Sequence, residues 1–138
     1  MSTSGGLAFE RYRHQDRDEW LMRIGTREAP PILLVPPLFE EMNRTRALIA
    51  ATMRALAAQG FGCWLPDLPG TGESEAALEE TGWEDWRGAV MTSTVEVARA
   101  AGTLPIVASI RGGCLIDDAA CASAWWRFAP VGGASLAR

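Results

Sequence analysis

One histidine, three cysteines and a single tyrosine are all that 138 residues provide of those types. Each scarcity removes a class of chemistry. With His14 as the only imidazole and no C-x-x-C spacing among Cys63, Cys114 and Cys121, the sequence assembles no metal site. Nor does it show the phosphate-binding glycine loops of a nucleotide cofactor. The cysteines are odd in number and sit in apolar text, so buried, reduced thiols in a cytoplasmic protein are expected. No stretch approaches the ~20 apolar residues of a membrane span. The opening Met-Ser-Thr-Ser-Gly-Gly lacks the basic and apolar regions of a signal peptide. A net charge of -4 offers no basic surface for nucleic acid.

What is present suits one globular domain over 1–138. Hydrophobic residues make up 48% and charged residues 22%. Segments 7–13 and 18–24 read as two strands joined by a polar turn at His14–Arg17, with His14 exposed in it. Pro31–Val35 is an uninterrupted apolar run, as in a strand buried on both faces. From Met42 to Gln59 the period becomes helical, with Leu48, Thr52 and Leu56 on one stripe and Ile49, Met53 and Ala57 on the next. A strand at 61–66 and a loop at 69–80 follow. Thr81 and Glu84 form a capping-box pattern opening a helix to about Gly102. A strand at 104–109, a helix at 114–124 and a strand at 125–130 complete the alternation. The expectation is an α/β fold: a mostly parallel sheet with helices on both faces and an N-terminal antiparallel hairpin.

Two segments carry chemical information. Residues 103–114 (Thr-Leu-Pro-Ile-Val-Ala-Ser-Ile-Arg-Gly-Gly-Cys) run from an apolar strand into a Gly-Gly turn, the layout of a nucleophile elbow. With Gly112 as the last glycine of G-x-S-x-G, the nucleophile's place falls on Ile110, which cannot attack a carbonyl. Ser109 is one residue early, and strand alternation points it to the other side. Cys114 falls in the first turn of the following helix, without a basic partner in reach by sequence, and reads as structural. Asp67-Leu-Pro-Gly-Thr-Gly-Glu-Ser74, directly after a strand, reads as a tight structural turn whose side chains bond back to the backbone.

Together with Val35-Pro-Pro-Leu-Phe-Glu-Glu-Met-Asn-Arg-Thr-Arg46 and Gly62-Cys-Trp-Leu-Pro-Asp67, these segments resemble an α/β-hydrolase. More narrowly, they resemble the type-2 hydrolase of the bacterial exosortase A (PEP-CTERM) protein-sorting system. The resemblance implies a sheet of about eight strands, with a catalytic acid and histidine on later loops. A complete member of that kind runs to roughly 250 residues. The expectation is therefore a domain whose C-terminal strands are missing, with an incomplete triad.

The resemblance also implies an acyl-type small-molecule substrate and no cofactor, and it marks Ser109 as candidate nucleophile. Leu38, Phe39, Ile110 and Arg111 mark the oxyanion loop and elbow. Pro36 and Pro37 have no N–H to give an oxyanion, and Glu40 or Glu41 there would oppose it unless spent on the following helix's N-terminus. Arg46 and Arg111 could make a cationic spot. The nominal activity is ester or thioester hydrolysis; the alternative is a non-catalytic binding or accessory module in exosortase-linked export. An open sheet edge left by missing strands would promote self-association.

Overall fold

The structure is a computed structural model that describes residues 6–129. The ends of the single domain expected over 1–138, and the last residue of the strand expected at 125–130, lie outside the described residues. The described residues form six strands and two long helices in the order β1 (Leu7–His14), β2 (Arg17–Ile24), β3 (Pro31–Val35), α1 (Glu40–Ala58), β4 (Gly62–Pro66), α2 (Trp83–Ala101), β5 (Ile106–Ile110) and β6 (Ala124–Phe128). They make one sheet ordered β1-β2-β4-β3-β5-β6. β1 and β2 are an antiparallel hairpin, β2 meets β4 antiparallel, and β4, β3, β5 and β6 run parallel.

Strand alternation divides the core in two. Leu33, Val35 and Val107 face α2, where they pack with Trp64, Val90 and Val97. Ile32, Leu34 and Ala108 face α1, against Ile49, Met53 and Ala57. The second of the two sequence stripes on α1 is thus the buried one. Leu48 on the first is 67% exposed and overlooks a groove instead.

Three local features differ from the sequence expectation. α2 is capped one residue later than the Thr81–Glu84 pattern. Thr81 Oγ1 donates back to the Leu78 carbonyl at 2.7 Å, so Gly82 becomes the N-cap and its N–H reaches the Asp85 carboxylate at 2.8 Å. The helix expected at 114–124 is a single 3-10 turn, Arg111–Leu115, followed by irregular chain to Ser123. Two glycines weaken helix there, and Ile116 and Asp117 turn fully into the interior. The thiols also differ: Cys63 is buried, Cys114 half-buried and Cys121 exposed.

Candidate functional site

At the C-terminal ends of the parallel strands, the β3–α1 loop and the bend after β5 lie against each other. The bend's apex is Arg111, whose φ of +53° is the only positive value between Gly102 and Ala129. This is one residue beyond the place that aligning Gly112 assigned to Ile110. Gly113 fixes that register. A Cβ on it would stand 2.6 Å from the carbonyl oxygens of both Val35 and Pro36, so only glycine lets the bend close on β3. Ile110 is the last residue of β5 and turns toward the α1 side, where it lines the groove.

Arg111 is not free to act. Its Nε donates to Glu41 Oε2 at 2.8 Å, joining the bend to the first turn of α1. A guanidinium has no acceptor lone pair and stays charged, so it cannot replace a nucleophilic hydroxyl. Glu41 therefore neutralises the apex. Arg46 contributes elsewhere, its charge favouring ionised Asp67. In the β3–α1 loop Leu38 is buried, whereas Phe39 is 48% exposed with φ +60° and ψ -135°. The Phe39 ring meets Trp83 and Trp86 edge-on at centroid distances of 6.3 and 5.5 Å, closing that side of the loop cluster.

Ser109 lies on the α2 side of β5, fully buried, and its Oγ donates to Asp117 Oδ2 at 2.6 Å. Asp117 is also fully buried. Arg127, paired with Ser109 in the β5–β6 register, grips both of its carboxylate oxygens at 2.8 and 2.9 Å. Trp125 Nε1 donates to the Asp117 carbonyl at 3.0 Å. The result is a buried Ser–Asp–Arg clip between β5, the bend and β6. Cys114 approaches the Ser109 carbonyl at 3.5 Å, and burial raises its thiol pKa, which disfavours the thiolate.

His14 is four strands from β5 in the sheet order, on the order of 19 Å at about 4.8 Å per spacing. It cannot serve Ser109 as a base. Nor is it an exposed turn residue: the ring packs against Gly88 of α2, where an added Cβ would meet Cε1 at 3.0 Å.

The groove beside the bend is apolar and measures about 640 Å³. α1 supplies Leu48, Thr52 and Leu56, and the sheet supplies Ile106, Ile110, Trp126 and Phe128. Arg111 and Glu41 sit at one end. Among the described residues no three His, Cys, Asp or Glu side chains converge to hold a metal. No helix among them is long and apolar enough to cross a membrane.

The arrangement has counterparts among solved structures. An epoxide hydrolase of Vigna radiata superposes with a TM-score of 0.63 at 16% identity, over 80% of this chain and 33% of that one. A predicted CIB-like hydrolase from Thermoplasma acidophilum gives 0.64 at 15% identity, over 95% of this chain and 66% of its own. The fold is that of the α/β-hydrolases. A thioesterase domain from the curacin biosynthetic pathway also shares it, with a TM-score of 0.54 at 18% identity over 78% of this chain and 38% of that one. No protein-family model matches the sequence, and no curated protein does. The chain spans about a third of the length of the epoxide hydrolases whose architecture it shares.

Asp117 and Arg127 were not among the residues singled out from sequence. An aspartate within the apolar text of 114–122, and an arginine at an alternating position between aromatics, were the available signals.

Proposed function

We propose that this chain is an exosortase A-associated type of α/β-hydrolase-fold protein that works as a binding or accessory module in polysaccharide or protein export, without acyl hydrolysis of its own. One observation carries the reading: the bend that would present a nucleophile presents Arg111, bound to Glu41. An acyl-type small molecule is the ligand class the neighbouring groove favours. Its walls are aliphatic and aromatic, and its one charged end is a paired Arg–Glu. We place the protein in the cytoplasm, where thiols such as those of Cys63, Cys114 and Cys121 stay reduced.

The catalytic reading, ester or thioester hydrolysis at Ser109, draws support from the short Ser109–Asp117 hydrogen bond. Against it, the hydroxyl is buried, its acceptor is already gripped by Arg127, and the only histidine is strands away. Acyl transfer needs a nucleophile, a base and an orienting group within reach of one another. The test is p-nitrophenyl butyrate turnover with fluorophosphonate labelling, on the purified chain and on Arg111→Ser. Neither protein should exceed the buffer rate or take up label, because a new hydroxyl at the bend still lacks a base. Turnover or labelling abolished by Ser109→Ala would establish the enzymatic reading.

Self-association is a second property we infer, through β6. All five of its residues are exposed, with Trp126 57% and Phe128 54% accessible, and no described strand pairs with its outer edge. Sedimentation should find dimers or larger species that Trp126→Lys shifts toward monomer. A monomer at every concentration tested removes the idea.

A further inference from the structure

Toward the hairpin edge of the sheet, a second cavity of about 190 Å³ lies between the hairpin, the loop after β4 and the start of α2. Its lining is polar, including His14, Arg17, Glu19, Glu80 and Asp85. Strand register explains how these meet. Tyr12 stands opposite Glu19 and His14 opposite Arg17, so His14 and Glu19 are diagonal neighbours on one face of the hairpin.

Glu19 is 2% exposed. One of its oxygens, Oε2, accepts from Ser74 Oγ at 3.0 Å. Ser74 is itself held by the N–H groups of Gly70 and Ala76, at 3.0 and 3.1 Å, so that contact is built into the loop. The other oxygen, Oε1, is buried without a partner among the described residues, and so is His14 Nε2. Both residues line the cavity. A buried carboxylate oxygen left unpaired costs more than an ordinary missing hydrogen bond. Two such atoms facing one space indicate something that donates to both.

The charges around the space narrow its chemistry. Three carboxylates line it against one guanidinium, and Arg17 is exposed to solvent. Asp85 is already committed, one oxygen to the Gly82 N–H and the other to the Gln15 amide at 2.9 Å. Glu80 is exposed and can turn to water, so the buried free acceptors are Glu19 Oε1 and, with the imidazole proton on Nδ1, His14 Nε2. An anion would meet net negative charge. A quaternary ammonium, having no N–H, would leave both atoms unpaired, and the described residues bring no three His, Cys, Asp or Glu together for a metal ion.

We propose that this cavity binds a small primary ammonium group, whose N–H donors reach Glu19 Oε1 and His14 Nε2. The volume is worth about six waters at roughly 30 Å³ each, enough for the headgroup and a short carbon chain. Burial lowers the His14 pKa and keeps the ring neutral, as an acceptor must be. The site is independent of the bend and groove and uses none of their residues.

His14 is the only histidine, so its Cε1–H proton is an unambiguous NMR reporter inside the cavity. The purified chain is titrated with ethylammonium chloride at constant ionic strength. Tetramethylammonium chloride and ethanol serve as the donorless cation and the neutral analogue. We expect a saturable shift with ethylammonium, no saturable shift with tetramethylammonium, and ethanol roughly tenfold weaker or more. Glu19→Gln should weaken ethylammonium by roughly tenfold or more, since a charged acceptor becomes neutral. Ala77→Leu, at an exposed position lining the cavity, should block it with the fold intact by tryptophan fluorescence. A linear drift equal to that with sodium chloride means the cavity holds only water, and overturns the proposal. So does an unchanged titration in both variants.

Discussion

Removing Arg127 should destabilise the protein by more than an ordinary surface arginine would. Asp117 is fully buried, and the Arg127 guanidinium bonds both its oxygens at 2.8 and 2.9 Å. In Arg127→Ala the carboxylate keeps Ser109 as a donor but loses its counter-charge. Breaking a fully buried pair from one side costs about 3–5 kcal/mol, whereas exposed pairs contribute about 0–1 kcal/mol. The Arg127 side chain is 45% exposed, so water can enter the vacated space and the cost falls between, at about 2–3 kcal/mol. At roughly 2.1 cal/mol/K of unfolding entropy per residue, that lowers Tm by about 7–10 °C. Arg99→Ala is the control. Its partner Glu96 lies 2.9 Å away, but Arg99 is 72% exposed, and the change should cost no more than about 0.5 kcal/mol. Adding Asp117→Asn to Arg127→Ala should recover part of the loss, because a buried amide lacks the desolvation penalty of a buried charge. Calorimetry reads the melting temperatures, and amide exchange reads whether β6 opens before the rest of the sheet. A Tm for Arg127→Ala within about 2 °C of the parent, with β6 amides equally protected, refutes the claim that the clip holds β6.

Gly113→Ala should cost about 2–3 kcal/mol in denaturant unfolding, since the new methyl meets two backbone oxygens that cannot move aside. Gly82→Ala, where nothing stands within 4 Å, should cost no more than about 1 kcal/mol, the loss of a glycine N-cap; equal costs at both sites would disprove the close-approach argument. Two carboxylates should give opposite pH signatures. Burial raises the Glu19 pKa, so its ionisation works against folding as pH climbs past the ordinary value of about 4.3, and Glu19→Gln should gain on the parent between pH 4 and 7. The Gly82 N–H, then the Gln15 amide, lower the Asp85 pKa, so its contribution is present above about 3.9 and fades as pH falls through the depressed value. The deficit of Asp85→Asn should be largest near neutrality, and a deficit that grows on acidification would contradict that sign.

Much of the architecture was legible because its determinants are local. Pro31–Val35 reads as a strand buried on both faces and is one. Helical periodicity located α1 and α2 to within a few residues, and the Asp67–Ser74 text is the bonded turn its residue types favour. The misread elements had competing partners far away in sequence. The helix expected at 114–124 gave way because Asp117 is drawn to Arg127, ten residues on. His14 left its solvent-exposed role because α2 offers a glycine to pack on, 74 residues later.

Composition and periodicity alone settled a mostly parallel α/β sheet and the scarcity of imidazole and thiol, while the motif at 103–114 placed a bend after the fifth strand with Ile110 at its tip. Each depends on which residues are present or on their spacing along one element. Three further facts needed the folded chain: the bend's apex at Arg111, the burial of Ser109 against Asp117, and the two unpaired atoms of His14 and Glu19 sharing one cavity. The reason is physical. A backbone dihedral at a tight turn, and the partner a buried polar group finds, depend on which distant surfaces come within about 3 Å, a distance sequence spacing does not encode.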